Sequence, residues 1–391
     1  MAARGLFNYD DLIWLKSKKK PRFQSNPTLP PIRTVDLFAG CGGLSLGVSE
    51  YCRRKKRKHI VEFASEWEEK ILQVFRSNLE SRYSSSQDIE KLISGHIHTP
   101  HVTKKEEEFL SKFPEIMYPD ILTGGPPCQD HSDLNNHTRR DGERNELYLR
   151  MVRAAFLLKP KAVIIENVPE VIHSEQDVVN IAVKKLRKLG YHVEPLELHA
   201  VQYGVPQYRV RHFLIATCLE RCKPIDRSLL KSISSRHERT VKWAIEDLRG
   251  KATKEEKDIM NVRTKSNKIN QERMNWLIEN DEHNLPNERR CPSHQKGNTY
   301  PAVYGRMYWD KPADTITTGF TSNGQGRFTH PNAWPGRPIT AQEAARLQTF
   351  PDWFNFESAK TRTFLKTAIG NAVPPLLAMC MTHVVVSSFN E

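Results

Sequence analysis

A thiol and a carboxylate, each closing a short apolar run, are the residues of this chain best suited to covalent chemistry. Thr123-Gly124-Gly125-Pro126-Pro127-Cys128-Gln129 ends one such run and sets Cys128 beside two prolines and ahead of a polar loop. The prolines fix φ and remove two backbone donors, so the turn is stiff, while the paired glycines let the backbone pass close to a ligand. Lys161-Ala162-Val163-Ile164-Ile165 reads as a buried parallel strand that runs into Glu166-Asn167-Val168-Pro169, which places a carboxylate at the carboxyl edge of a sheet. A nucleophilic thiol and a carboxylate at neighbouring strand ends form a pair for covalent catalysis.

Further segments follow these two in a recognisable order. Val35-Asp36-Leu37-Phe38-Ala39-Gly40-Cys41-Gly42-Gly43 and Glu66-Trp67 precede them, and Gln207-Tyr208-Arg209-Val210-Arg211, the stretch from Arg337 to Pro351, and Gly370-Asn371-Ala372-Val373-Pro374-Pro375 come after. With Pro126-Pro127-Cys128-Gln129 and Glu166-Asn167-Val168, this set resembles the cytosine-C5 DNA methyltransferase family of the bacterial restriction-modification type, from about Arg33 to the C-terminus. The resemblance implies an α/β fold: a Rossmann-like S-adenosylmethionine-dependent methyltransferase sheet with a smaller, irregular target-recognition domain. It also implies the chemistry. A Cys128 thiolate attacks C6 of a cytosine, and Glu166 hydrogen-bonds N3 and the exocyclic amine so that electron density at C5 is directed onto a methyl sulfonium. Loss of the C5 proton and elimination of Cys128 complete the cycle. Of Arg209 and Arg211, one contacts the cytosine O2 and the other orients Glu166 or the loop. A base inside a duplex is out of reach, so the cytosine must be extruded.

The segment from Asp36 to Gly43 lies between a strand and a helix, so Phe38, Gly40, Gly42 and Gly43 can present backbone to a ligand. It lacks the lysine of a phosphate loop. The carboxylate of Glu66 suits two ribose hydroxyls and the indole of Trp67 suits an adenine face, the grip expected for S-adenosylmethionine. Asp88 and Ile89 are the expected adenine-edge contact, with Gly95-His96-Ile97 a rival placement. Pro126 belongs to the same pocket, and Asn371 and Val373 are expected to bring the C-terminus back against the first loop.

For duplex DNA, the expected contacts are Ser132, Arg139 and Arg140 in the Asp130–Leu147 loop that closes over the target base, and Gln207 on the Arg-bearing segment. Arg306, Thr317, Thr318, Gln325 and Arg327 are expected to face the groove or fill the vacated space, with Arg306 or Arg327 bidentate to a guanine. The chain departs from its family just after Cys128-Gln129, where Asp130-His131-Ser132 replaces a small-aromatic-Ser sequence. That departure bears on loop kinetics and flanking preference more than on the chemistry. A cytosine-C5 transfer RNA methyltransferase and a catalytically idle DNA-binding homologue are the alternatives. The length and basic character of the recognition region favour DNA over the first, and intact Cys128, Glu166, Arg209 and Arg211 count against the second.

Positioning these residues requires alternating strands and helices. Strands are expected at Ile32–Leu37, Ile60–Ser65, Asp120–Thr123 and Ala162–Ile165, with an antiparallel end made by Val193–His199 and His212–Thr217. Helices are expected from Leu44, over Glu68–Leu79, Glu146–Leu158 and Asp177–Leu189, and at Thr340–Gln348 behind a capping box of Thr340 and Glu343. The stretch from Ser81 to Tyr118 reads as a polar insertion with a charged helix at Lys104–Lys112. The division is then 1–31 as an N-terminal extension, 32–225 and 336–391 as the catalytic domain, and 226–335, polar and basic, as the target-recognition domain.

A net charge of +13 over 391 residues and a pI near 9.3 suit a polyanionic partner. The run Arg53-Arg54-Lys55-Lys56-Arg57-Lys58 is open to three readings: import signal, phosphate patch or solvated loop. No signal-peptide pattern and no run long enough to span a bilayer are evident, so a monomer inside a cell is expected: cytoplasmic, associated with the nucleoid in a bacterium, or nuclear in a eukaryote. No membrane and no obligate protein partner are implied, although a cognate restriction endonuclease could accompany it. Seven cysteines without a small-domain framework imply reduced thiols. Cys218, Cys222, Cys291 and His294 have ligand-like pair spacings, but the pairs are far apart in sequence, and no metal is assigned.

Overall fold

The computed structural model describes residues 10–127, 145–174, 176–234, 238–295 and 302–390. Seven strands form one sheet: β1 (Ile32–Leu37), β2 (His59–Ser65), β3 (Ser81–Ser85), β4 (Ile121–Gly124), β5 (Ala162–Asn167), β6 (Tyr191–His199) and β8 (Val210–Cys218), in the order β3-β2-β1-β4-β5-β8-β6. Strands β1 to β5 run parallel, and β8 is antiparallel to both β5 and β6. A two-stranded ribbon pairs β7 (Gln207–Tyr208) with β9 (Ala313–Asp314). The expected α/β sheet with an antiparallel end is therefore the one observed. One strand differs from expectation: Ser81–Ser85 opens the stretch read as an insertion, yet it is the edge strand β3. Its serines and single partner strand leave it without the apolar alternation that marks a buried strand.

Because successive strand residues point to opposite faces, the sheet has two cores. Ala162, Ile164, Phe213 and Ile215 pack on one side with the helices Gly43–Arg54 and Pro375–Val386. Val163, Ile165, Leu214 and Ala216 pack on the other with Asn145–Leu158, Val178–Lys188 and Phe109 of the Lys104–Lys112 helix. Both faces of β5 are buried, which is why its sequence is a continuous apolar run. The crossovers then deliver β1, β2, β4 and β5 with their carboxyl ends along one edge, where a ligand crevice forms.

The stretch Arg362–Val386 has the length and hydropathy of a membrane span, contrary to the reading that no run does, but 94% of its most apolar window is buried inside the fold. It is broken between the helices Arg362–Gly370 and Pro375–Val386, and the second is buried throughout. Gly47 makes this packing possible, since a Cβ there would lie 2.4 Å from the Ala378 Cβ.

The N-terminal extension is packed into the fold through its first described residues. A short helix, Asp11–Lys16, buries Trp14 and Leu15, and Asp11 forms ion pairs with Arg54 at 2.7 Å and Arg239 at 2.5 Å. Arg53 and Arg54 both pair with Glu50, and Arg57 donates to the Pro30 carbonyl, so much of the basic run is bound into the fold. Residues of 226–335, among them Val241, Ile245, Met307, Phe320 and Phe328, join the same buried cluster as the first and last segments of the chain. The change of composition at residue 226 is thus not matched by a break in the core.

Buried histidines give one testable consequence. His59 sits between the Thr34 and Ser49 hydroxyls, 2.9 and 2.7 Å away, and burial pushes its pKa down to about 3. A histidine kept neutral in the fold binds fewer protons than in the unfolded chain, so its contribution is present above its unfolded pKa near 6.5 and is lost as pH falls toward 3. Asp36, raised to about 6 by burial, acts in the opposite sense. For His59→Gln, the stability gap from wild type is therefore expected to narrow as pH falls from about 6.5 to about 3. Urea midpoints measured across that range check it.

Candidate active site

At the carboxyl end of β1 the chain turns through three residues in the left-handed region: Phe38 (φ 55°), Gly40 (φ 55°) and Gly42 (φ 99°). Ala39 N donates to Ser65 O at 2.8 Å, drawing this loop onto the end of β2. Glu66 then fixes it: one carboxylate oxygen accepts from Gly40 N at 3.0 Å, the other from Glu68 N at 3.0 Å. Burial raises the Glu66 pKa, and those two amides oppose the rise. Next to this oriented carboxylate, the Trp67 indole is 74% exposed and offers an open aromatic face. The C-terminal segment closes the arrangement from the other side. A Cβ on Gly43 would lie 2.2 Å from the Val373 carbonyl oxygen, so only glycine lets the 43–54 helix begin there. Val373 is buried and Asn371 exposed.

Asp88 and Ile89 lie just beyond β3, where Asp88 caps a short helix, Ile89–Leu92. Arg150 holds this segment, donating to the Ile93 and Gly95 carbonyls and pairing with Glu90 at 2.7 Å. One turn on, Arg153 is buried against Glu106, whose carboxylate also accepts Gly95 N and completes a capping box with Thr103. Sequence reading missed both arginines. Their signal is the three-residue spacing that puts them on one helix face.

The catalytic side starts from Asp36, which is fully buried and accepts the hydroxyls of Ser45 and, at 2.9 Å, Thr123. This ties β1 to the end of β4, from which Gly124, Gly125, Pro126 and Pro127 lead toward Cys128. An acid inside an apolar strand was the available clue to that role. Gly124 pairs with Ile165 in the parallel register of β4 and β5, so the chain leaving β4 emerges beside Glu166. Asn167 Nδ2 donates to the buried Pro126's carbonyl at 3.3 Å and holds that exit in place. Glu166 itself is only 7% exposed, with Arg211 Nε 3.0 Å from Oε1. Its Oε2 lies 3.4 Å from where a Cβ on Gly125 would stand. Burial raises the Glu166 pKa, while Arg211 and Arg209 hold it back. A carboxyl whose pKa is raised by burial, beside the Gly125 turn that leads toward Cys128, can donate or accept a hydrogen bond at a ring nitrogen.

Several expected contacts are corrected by their surroundings. Arg209 does not line an open pocket: fully buried, it donates to the carbonyls of Ile316 (3.0 Å), Gly370 (3.4 Å) and Ala372 (3.1 Å). These bonds commit its two terminal nitrogens to backbone, while its Nε is buried without a hydrogen-bond partner among the described residues. Gln207 is likewise buried, donating to Leu347 O and Gln348 Oε1 and accepting from Ile316 N, so it is no DNA contact here. Gln348, unnoticed in the sequence, continues this network to the Ile369 carbonyl at 2.7 Å. Arg306 donates to Leu277 O and pairs with Asp281, and Arg327 donates to His283 O and Asn284 Oδ1. These two buried arginines brace the recognition region from within and are not placed to read a guanine. Thr317 and Thr318 do lie against the end of the Arg362–Gly370 helix, since a Cβ on Gly370 would meet the Thr318 nitrogen at 2.4 Å. Thr318 and Gln325 are exposed and Thr317 half-buried.

Cys128, Ser132, Arg139 and Arg140 lie outside the described residues. Cys218 and Cys222 are adjacent through the Cys222 N to Cys218 O bond of 2.8 Å, while Cys291 accepts from Ser293 Oγ in a separate segment.

The sequence model of the C-5 cytosine-specific DNA methylase family matches residues 32–386. Type II methyltransferase M1.BsuMI of Bacillus subtilis is 39% identical over 376 residues, spanning 96% of this chain and 84% of that protein. Type II methylase M.HgiDII of Herpetosiphon aurantiacus is 30% identical over 88% of this chain and 92% of its own length. Among solved structures, that of an E. coli prophage-encoded protein described as a DNA modification methyltransferase superposes with a TM-score of 0.63. It has 25% identity and covers 92% of this chain and 100% of its own.

Proposed function

This chain belongs to the C-5 cytosine-specific DNA methylase family and is a DNA (cytosine-5-)-methyltransferase, and on that premise we propose that it methylates C5 of a flipped-out cytosine in one duplex sequence through a covalent bond from Cys128 to C6. The observation that carries this reading is the buried Glu166–Arg211 pair, facing Gly125 at the point where the chain leaves β4 toward Cys128. As the thiolate adds to C6, negative charge builds on the ring. Glu166, with its raised pKa, supplies the hydrogen bond at N3 that takes up that charge, and Arg211 holds the carboxyl in line. Arg209 acts at one remove, locking the 316 and 370–372 backbones that frame the pocket.

S-adenosylmethionine fits the cleft beside β1 and β2: Glu66 presents a carboxylate already oriented by two amides, Trp67 an open indole, and Gly40 a stretch of the Phe38–Gly43 turn with open space where a Cβ would stand. When bound it supplies an electrophilic methyl group. Asp88, Ile89, Pro126, Asn371 and Val373 complete the proposed enclosure. The Type II relatives support placing the enzyme in a restriction-modification system inside the cell, with an endonuclease of the same specificity. Its DNA contacts are then Ser132, Arg139, Arg140, Thr317, Thr318 and Gln325.

Incubating the protein with a mixed duplex library and labelled S-adenosylmethionine, then mapping 5-methylcytosine, tests the reading. Label in one sequence context is the expected result, and none in any duplex overturns it. Glu66→Ala is expected to raise the apparent KM for the cofactor by far more than that for DNA. Calorimetry decides, and an unchanged cofactor affinity moves the nucleoside site elsewhere.

A further inference from the structure

Away from the cleft, a cavity of about 260 Å³ opens between the 249–263 turn and the 330–337 segment. Arg249, Arg263, His330, Trp334 and Arg337 line it, together with Gly250, Ala252, Asn332 and Ala333. None of these residues belongs to the methyl-transfer site. Two of its three arginines have donors to spare. Arg337 is committed, binding both Glu343 oxygens at 2.7 and 2.8 Å. Arg263 uses only Nε, toward Ala252 O at 3.1 Å, leaving its terminal nitrogens without a hydrogen bond among the described residues. Arg249 is exposed and forms no side-chain hydrogen bond or ion pair among the described residues.

The Arg337 charge is cancelled by Glu343, so the cavity keeps the two positive charges of Arg249 and Arg263. His330 adds none: burial, with help from Arg337 and Arg249, lowers its pKa to about 4. Beside these cations stands Trp334, 59% exposed, with no ring or cation stacked on it among the described residues. Two guanidinium groups with free donors match the oxygens of a phosphate, and a bare indole matches a planar base. The volume of about 260 Å³ lies a little below the roughly 300 Å³ at which ligand cavities usually begin, and leaves room for more than an ion.

We propose that this cavity binds one phosphate-bearing nucleotide, its phosphate held by Arg249 and Arg263 and its base laid on Trp334. The inference rests on the DNA methyltransferase reading only for the source of that nucleotide, which is either an unpaired or frayed nucleotide of the substrate strand or a free mononucleotide.

The test uses the full chain and two variants, Arg249→Ala/Arg263→Ala and Trp334→Ala. Because Arg249 is exposed and its side chain unpaired among the described residues, Arg249→Glu alone serves as a third that leaves the packing untouched. Binding of a duplex with a single-stranded extension is measured against salt, and binding of AMP and CMP by calorimetry. With a strand nucleotide in the cavity, the arginine variants bind the extended duplex about tenfold more weakly at low salt, and the slope of log K against log salt shrinks by about 0.7 to 0.9. Trp334→Ala weakens binding with no change of slope. Single-turnover methylation at saturating DNA stays at the wild-type rate. With a free nucleotide as ligand, AMP or CMP binds wild type and is lost in all three variants while duplex affinity is unchanged. The proposal is overturned if wild type binds and methylates DNA, yet all three variants keep its duplex affinity, its slope and its response to mononucleotides. If wild type neither binds nor methylates any duplex, the functional reading fails, and the mononucleotide titration still decides the cavity.

Discussion

Cys128→Ala is expected to lower methyl transfer by about 10⁴-fold or more while leaving duplex affinity near wild type. The expectation combines sequence and geometry. Pro126 and Pro127 restrict the approach to Cys128, and the Asn167 to Pro126 hydrogen bond ties that approach to the strand bearing Glu166. Without the thiol no bond can form at C6, and C5 of cytosine is then too poor a nucleophile to accept a methyl group. DNA carrying 5-fluorocytosine separates loss of chemistry from loss of binding. Fluorine takes the place of the C5 hydrogen whose loss as a proton drives elimination of the thiolate, so wild type should accumulate a covalent complex stable to denaturation. The alanine variant should form none. Methylation at the wild-type rate by Cys128→Ala would refute the covalent mechanism.

Replacing Glu166 by alanine is expected to cost roughly 10² to 10⁴ in rate, the range for a positioned acid or base. The pH profile is the sharper reading. Burial raises the Glu166 pKa and Arg211 opposes the rise, so the protonated carboxyl persists to higher pH than an exposed glutamate would allow. If that form donates at N3, the single-turnover rate falls as pH rises through the raised pKa. Arg211→Ala removes the charge that holds the pKa back, and the falling limb should move to higher pH even as the maximum rate drops. Arg211→Lys should leave the limb close to its wild-type position. A limb that stays in place in Arg211→Ala would assign it to another group. Arg209→Ala provides the contrast: its guanidinium binds three carbonyls, so it should lower thermal stability along with activity.

The elements around the chemistry were legible in the sequence because each carried a local signal. Ala162–Ile165 is apolar on both faces since helices cover both sides of the sheet, and Thr340 with Glu343 announces a helix start that the structure reproduces. Where a strand has one neighbour, the signal fades. Ser81–Ser85 reads as loop because an edge strand of serines needs only backbone pairing to one side.

Side-chain destinations were a different matter. Sequence by itself determined the order of the segments, the residue types able to form a thiol–carboxylate pair and a nucleoside clamp, and the family to which the chain belongs. Whether an arginine faces a ligand or a carbonyl was decided only by the tertiary structure. Arg209, Arg306 and Arg327 look like surface cations in a basic chain, yet chain segments distant in sequence bring acceptors to the terminal nitrogens of each, and those bonds offset part of the cost of burying a guanidinium, the Nε of Arg209 and of Arg306 being left without a partner among the described residues. Arg211, two residues after Arg209, meets Glu166 because alternate strand residues share a face and antiparallel pairing sets β8 beside β5. The same closure of distant segments leaves Arg249, Arg263 and Trp334 around one cavity, a grouping that no local spacing foretells.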